Sequence, residues 1–514
     1  MAQINVSGLT FCYEGSYDNI FENASFSVDT NWKLGLIGRN GKGKTTFLNL
    51  LLGKYEYEGS ISAPSFFDYF PFEIREKDMD RDTIDVIETV CPGTELWRIC
   101  TELAGLETDA GLLYRPYSSL SHGERTKVML AVLFSRENYF LLIDEPTNHL
   151  DMPTREAVRD YLNKKKGFIL VSHDRWLLDG CVDHVLVLER NQIQVEKGNF
   201  TSWWENKQKR DAFEFSENEK LKGEVRKLEE ASKRTAAWAA RVEKTKIGFN
   251  PVKEPDRSKD TRAYIGEKSK RMQQRRKNLE RRQQSAIEQK SRLLKNLEQP
   301  GELKLIPFSH YKEIYVKAED ASFCYGGREV LGRFNMELRR GSRTILQGRN
   351  GCGKTSVIKA ILTAEGAEIL NPLPEDIKES IPEVRGRLEV ARGLKISWIS
   401  QDTSFLKGSL DDYIEKSGVG ASMFKAVLRQ LDFERVQFEK PMEKFSEGQK
   451  KKVLIAGSLL QQAHLYIWDE PLNYIDIFSR MQIEDLIMKY NPTMLIVEHD
   501  RFFGERCAHQ KILL

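Results

Sequence analysis

GRNGKGKT, residues 38–45, decides how this chain folds, and it occurs twice, the second time as GRNGCGKT at 348–355. Each octet follows a short apolar run, 34–37 or 344–346, and precedes a helix-like segment. Strand, glycine-rich turn and helix in that order build a phosphate cradle inside an α/β domain. The glycines let backbone N–H groups curl around phosphate oxygens, and the helix N-terminus adds a favourable dipole. The candidate ATP-binding residues of the first copy are Gly38, Arg39, Asn40, Gly41, Lys42, Gly43, Lys44, Thr45 and Thr46. Those of the second are Gly348, Arg349, Asn350, Gly351, Cys352, Gly353, Lys354, Thr355 and Ser356. Lys44 and Lys354 are expected to reach the β- and γ-phosphates, and Thr45 and Thr355 to ligate Mg2+.

The repeat extends well beyond the octets. LSHGE at 120–124 returns as FSEGQ at 445–449, LLIDEPTNHLD at 141–151 as YIWDEPLNYID at 466–476, and VSHDR at 171–175 as VEHDR at 497–501. Lys44 to Lys354 spans 310 positions, Ser121 to Ser446 and Asp144 to Asp469 each span 325, and His173 to His499 spans 326. The step from 310 to 325 places 15 additional residues in the second copy, and 366–388 is the segment expected to hold them. Two P-loop domains are therefore expected at 1–203 and 301–514, with a segment of different character at 204–300.

Asp144 and Asp469 end apolar strands and are followed at once by Glu145 and Glu470. The aspartate suits Mg2+, and the glutamate suits activation of a water for attack on a γ-phosphate. His173 and His499 also follow apolar strands, where they can contact the γ-phosphate. Their matched placement favours that role over a structural one.

This order of motifs resembles ATP-binding cassette proteins, whose signature is close to LSGGQ. In that family two cassettes pack head to tail, and the signature of one completes the ATP site of the other. Carried over, the resemblance joins the 38–45 loop, Asp144, Glu145 and His173 to Ser446, Gly448 and Gln449. It joins the 348–355 loop, Asp469, Glu470 and His499 to Ser121, Gly123 and Glu124. Tyr13 and Tyr325 resemble the aromatic residue that stacks on adenine; an ordinary core tyrosine is the competing reading. Gln401, in WISQD, matches the glutamine that usually follows the P-loop region, whereas the first copy has Phe72 in YFPFE. Phe445 in place of leucine and Glu498 in place of serine are further departures, and the two sites are expected to be unequal.

Hydrophobic residues make up 40% of the 514, the formal charge is +3, and seven cysteines are scattered without metal or redox spacing. That is the profile of a cytosolic protein with reduced thiols. No secretory leader and no membrane-length apolar run is visible in the sequence. The near-neutral total conceals a basic centre: residues 205–299 hold 27 Lys/Arg and 16 Asp/Glu, a net of +11, which leaves 52 − 60 = −8 elsewhere. Leu221, Val225, Leu228, Ser232, Thr235, Ala239 and Val242 follow a 4–3 spacing, and Ile265, Met272, Leu279, Ala286 and Leu293 recur every seven residues. An antiparallel coiled-coil hairpin is the expected solution, with its turn at 247–260. Lys268, Lys270, Arg271, Arg275, Arg276, Lys277, Arg281 and Arg282 suit a phosphate-tracking RNA surface. A solvated spacer is the plainer alternative.

Two fused cassettes, a charged helical linker and DEPTNHLD at 144–151 resemble the ABC-F family. The long linker, the second phrase DEPLNYID and the 77 positions between Lys44 and Ser121 are most similar to its antibiotic-resistance branch, the Vga/Lsa type. That resemblance implies a cytoplasmic, ribosome-associated ATPase, monomeric, with no membrane or DNA partner. It would contact large-subunit rRNA and P-site tRNA and displace lincosamide, pleuromutilin and streptogramin A drugs, with ATP hydrolysis driving its release. Phe249, flanked by Lys246 and Lys253, is then the tip aromatic, or else a cap on the turn. A translation factor of the same family, and the motor of a drug exporter, are the remaining readings.

Overall fold

In a computed structural model, the described residues are 2–15, 19–148, 150–189, 192–244, 304–305, 307–371 and 380–514, with 274, 277–278, 281–282 and 285. The chain divides into two compact units: Met1–Trp203 together with Gly301–Leu514, and Trp204–Pro300.

The first unit contains the two repeats, each built on a six-stranded sheet. In the first, the strand order is Phe66–Phe70, Tyr139–Asp144, Phe168–Val171, Lys33–Ile37, His184–Glu189, Gln192–Lys197. All neighbours are parallel except the last pair. In the second the order is Ala367–Ile369, Leu394–Ile399, Leu465–Asp469, Met494–Val497, Arg343–Gln347, Gln510–Leu513, all parallel. The central strands read as continuous apolar runs because both faces are covered. Phe168–Val171 and Met494–Val497 are buried at every position.

A three-stranded antiparallel sheet flanks each of these. Gln3–Phe11 pairs with Phe21–Asp29 and Glu58–Ser62, and Ile314–Tyr325 pairs with Arg328–Arg339 and Glu383–Val390. Helix Lys44–Leu51 lies between the two sheets of the first repeat. Its Phe47 joins Phe11, Phe21, Leu34, Phe140 and Ile169 in one core. Each such side chain contributes about 1.5–3 kcal/mol by burial. The 366–388 segment supplies the parallel edge strand Ala367–Ile369 and part of an eight-residue antiparallel strand where the first repeat has five residues. Positions 372–379 lie outside the described residues.

Helix Phe200–Lys244 is 45 residues long, about 67 Å at 1.5 Å per residue. Leu221, Val225 and Leu228 are half-buried on it, while the residues between them are exposed. Lys277, Arg281 and Arg282 are helical and exposed. The turn at 247–260, Lys246, Phe249, Lys253, Lys268, Lys270, Arg271, Arg275 and Arg276 lie outside the described residues.

Candidate functional site

Parallel neighbours place three motif-bearing strand ends side by side. Leu36 and Asp144 both register with Val171, and Leu346 and Asp469 both register with Val497. The glycine loop, the acidic pair and the histidine of each repeat therefore meet at the carboxyl edge of its sheet, the usual ligand position of such folds.

The loops have the backbone that phosphate cradling needs. Gly43 and Gly353 have φ of 92° and 100°, and a Cβ on Gly43 would come within 2.5 Å of Ile20. Lys44 Nζ donates to the Gly38 carbonyl at 2.8 Å and to Asn40 Oδ1 at 3.1 Å. Lys354 Nζ donates to the carbonyls of Gly348 and Arg349, both at 2.9 Å. The Thr45 hydroxyl donates to Asp144 Oδ2 at 3.2 Å, and Thr355 to Asp469 Oδ2 at 3.2 Å.

Glu145 and Glu470 lie in the left-handed region, with φ of 50° and 46°. Their N–H groups donate to Val171 and Val497 at 2.9 Å, which turns both side chains back toward the histidine loops. Glu145 Oε1 is 3.4 Å from His173 Nε2 and has no hydrogen-bond partner. Burial, with Asp144 adding, pushes Glu145 up to about 8. Burial, with Glu470 adding, pushes Asp469 up to about 7. Burial, then Lys354, holds His499 down to about 3, and burial, then Lys44, holds His173 well below the usual imidazole range. Both histidines are thus neutral at pH 7.

The two sites differ around Glu470. Gln401 Nε2 donates to Glu470 Oε2 at 2.9 Å, and Asn473 Nδ2 donates to the same oxygen at 2.7 Å. Phe72 occupies the place of Gln401, two residues beyond Phe70, which registers with Ile143 as Ile399 does with Trp468. A phenyl ring has no donor to offer. The first site instead has Tyr69, whose hydroxyl donates to Asp144 Oδ2 at 3.1 Å. Glu498 accepts from the N–H groups of His499 at 2.8 Å, Asp500 and Leu472 at 3.3 Å, a wider version of the bond Ser172 accepts from Asp174. Phe445 is buried against Phe433 in the core, so it changes packing rather than the lining of the site.

Residues of opposite repeats meet. Asn40 Nδ2 donates to the Tyr474 carbonyl at 3.1 Å, and a Cβ on Gly448 would approach that carbonyl to 2.6 Å. The first glycine loop, the DEPLNYID turn and the second signature are therefore adjacent. Arg39 is ion-paired to Asp432 of the other repeat. A cavity of about 370 Å3 joins Asn350, Lys354, Thr355, Gln401, Glu470 and His499 to His122, Leu150 and Arg155 of the first repeat. Ser121, Gly123 and Glu124 do not line that cavity. Ser121 accepts from the Glu124 N–H and Glu124 from the Ser121 N–H, and Ser446 and Gln449 form the same reciprocal cap.

Tyr13 is 42% exposed, its hydroxyl 2.8 Å from Thr46 Oγ1, with Phe11 and Tyr55 edge-on to its ring. It is therefore not a core tyrosine. Tyr325 is half-buried at the end of its strand. Sequence reading missed Tyr69, Asp432, Asn473 and Arg155. Arg155 repeats as Arg480, and the two bind Asp174 and Asp500 at 3.3 and 3.0 Å. The 325-residue offset was the signal that could have revealed that pair.

The described residues contain no group of three or more His, Cys, Asp or Glu able to hold a metal alone. One threonine and one aspartate per site fit a magnesium ion that takes its other ligands from phosphate and water. The unpartnered, buried Asp469 Oδ1 fits the same ion.

Comparison with known proteins agrees with this geometry. The ABC transporter family model matches residues 21–148 and 331–473. The chain is 25% identical to the ribosome protection protein VmlR of Bacillus subtilis, over 98% of this chain and 85% of that one. It is 27% identical to the ATP-binding protein Uup of Buchnera aphidicola, over 99% and 80%. It is 26% identical to the probable ATP-binding protein YheS of Escherichia coli K12, over 94% and 74%. An archaeal ribosome recycling factor, solved with a ribosomal stalk protein, shares the fold, with a TM-score of 0.60, 18% identity and coverage of 98% and 87%.

Proposed function

We propose, from the premise that this chain belongs to the ABC transporter family as a tandem pair of its ATPase domains, that it is a ribosome protection protein. ATP binding and hydrolysis come with the family. The single observation that carries the ribosomal reading is the end-to-end likeness to a ribosome protection protein, which runs across the basic centre as well as the cassettes. The +11 charge of residues 205–299 supports an RNA partner, since Lys and Arg gain affinity by displacing phosphate counterions.

Each ATP site would combine the glycine loop of one cassette with the signature and DEPxN turn of the other. Lys44 and Lys354 neutralise the β- and γ-phosphates. Tyr13 offers an exposed ring for adenine. Thr45 with Asp144, and Thr355 with Asp469, would hold magnesium, which when bound offsets charge on the transferring phosphate. Glu145 and Glu470, once ionised, take a proton from the attacking water, and the neutral His173 and His499 orient the γ-phosphate. Closure of the cassettes would set the 204–300 segment against the large subunit beside P-site tRNA. That would displace lincosamide, pleuromutilin or streptogramin A drugs, and hydrolysis would release the protein.

A translation factor without a resistance role is the second reading. It is favoured by the similar identity to Uup and YheS, which are described only as ATP-binding. No described helix is long and apolar enough to cross a membrane. The deciding experiment is drug susceptibility of a sensitive bacterium with and without this gene. Protection predicts higher inhibitory concentrations for those three classes alone. Unchanged values, with altered translation on drug-free ribosomes, would favour the second reading.

A further inference from the structure

The two signatures differ at the residue after the serine: His122 in LSHGE, Glu447 in FSEGQ. Both residues open 14-residue helices, His122–Ser135 and Glu447–Leu460, and both helices carry the same reciprocal cap. The backbone therefore presents the two side chains in the same way, and only their chemistry differs.

His122 is exposed and lines the 370 Å3 cavity together with Lys354, Thr355, Glu470 and His499 of the second cassette. That volume is in the range of small-molecule sites, roughly 300–1,000 Å3. An independent observation points to a ligand there. His499 is 4% exposed and lines the cavity, and neither of its ring nitrogens has a hydrogen-bond partner. Glu447 is engaged differently: its carboxylate accepts from the Thr403 hydroxyl at 2.5 Å and from Lys450 at 2.9 Å.

We propose that His122 is a phosphate-contacting residue supplied by the first cassette to the second site, and that it sets that site's preference for a nucleoside triphosphate over a diphosphate. The proposal rests on the two-site ATPase reading and deepens it. An imidazole carries at least one N–H in every protonation state, so it can donate to a terminal phosphate oxygen. An ionised carboxylate can only accept, and it repels the same oxygen. A donor placed at the terminal phosphate loses its partner when the ligand is a diphosphate, which is what makes it selective. The site completed by Glu447 lacks this donor, so the two sites are predicted to discriminate unequally.

The test uses the full chain in a Lys44→Ala background, so that binding reports the second site. A non-hydrolysable ATP analogue and ADP are titrated separately with magnesium. His122→Glu is expected to weaken the triphosphate analogue by about tenfold or more, the scale of a lost hydrogen bond to a charged group, and to leave ADP within about twofold. His122→Gln, which keeps an N–H, should restore most of the triphosphate affinity. Equal loss for both nucleotides would mean that His122 only shapes the loop, and would overturn the proposal, as would no change for either. Absence of nucleotide binding by the Lys44→Ala parent would overturn the two-site reading and this proposal with it.

Discussion

Glu145 occupies a backbone state that few residues other than glycine, asparagine and aspartate adopt, and Glu470 repeats it. Such a state persists where the surroundings impose it, here the N–H bonds to Val171 and Val497. The same burial that aims Glu145 weakens it as an acid, raising its pKa to about 8. The folded chain therefore holds a proton that the unfolded chain releases above roughly pH 4.3. The resulting stability is fully present below that pH and is lost as pH rises through about 8. Glu145→Gln removes this dependence. Thermal melts without nucleotide should show the variant more stable than the parent at pH 8.5 and nearly equal to it at pH 4, below the unfolded value. Asp469, raised to about 7, adds a decline of the same sign that both proteins share. A gain of equal size at both pH values would refute the assignment. Lys44, Thr45, Asp144 and Glu145 were legible in the sequence because phosphate chemistry dictates residue type and spacing within a short stretch. Tyr69 was not, because its bond to Asp144 arises from parallel strand register, which no local motif records.

At the scale of elements, the sheets were legible because buried parallel strands read as apolar runs ending in motif residues. The contacts between cassettes were not, since they join residues such as Arg175 and Glu484, 309 positions apart, and Asn40 and Tyr474, 434 apart. Helix Ile477–Tyr490 is the clearest case. Its Glu484 has a fully buried side chain, ion-paired both to Arg175 of the first cassette and, at 3.0 Å, to Arg506 of its own. Nothing in the sequence around Glu484 sets it apart from a solvated helical acid. A buried pair with one partner removed leaves an uncompensated charge, at a cost of about 3–5 kcal/mol. Glu484→Ala should therefore lower stability by about that amount in denaturant melts. Asp485→Ala, next to it but two-thirds exposed, should cost under about 1 kcal/mol. Equal effects would show that the cassettes do not depend on this pair.

At the scale of the molecule, the two cassettes form one compact unit, while the strongly basic 204–300 segment forms another. The cassettes are bridged at the candidate ATP sites: Arg39 to Asp432, Asn40 to the Tyr474 carbonyl, and His122 with Arg155 on the second cavity. The residues expected to hold nucleotide thus also join the cassettes, and the proposed function requires that ATP binding commit the protein to the ribosome. Sedimentation of the Glu145→Gln, Glu470→Gln double variant with bacterial ribosomes through a sucrose cushion tests this most directly. The variant is expected to pellet with ribosomes when ATP is present and to stay in the supernatant when it is absent. Recovery in the ribosome pellet that is the same with and without ATP would contradict it.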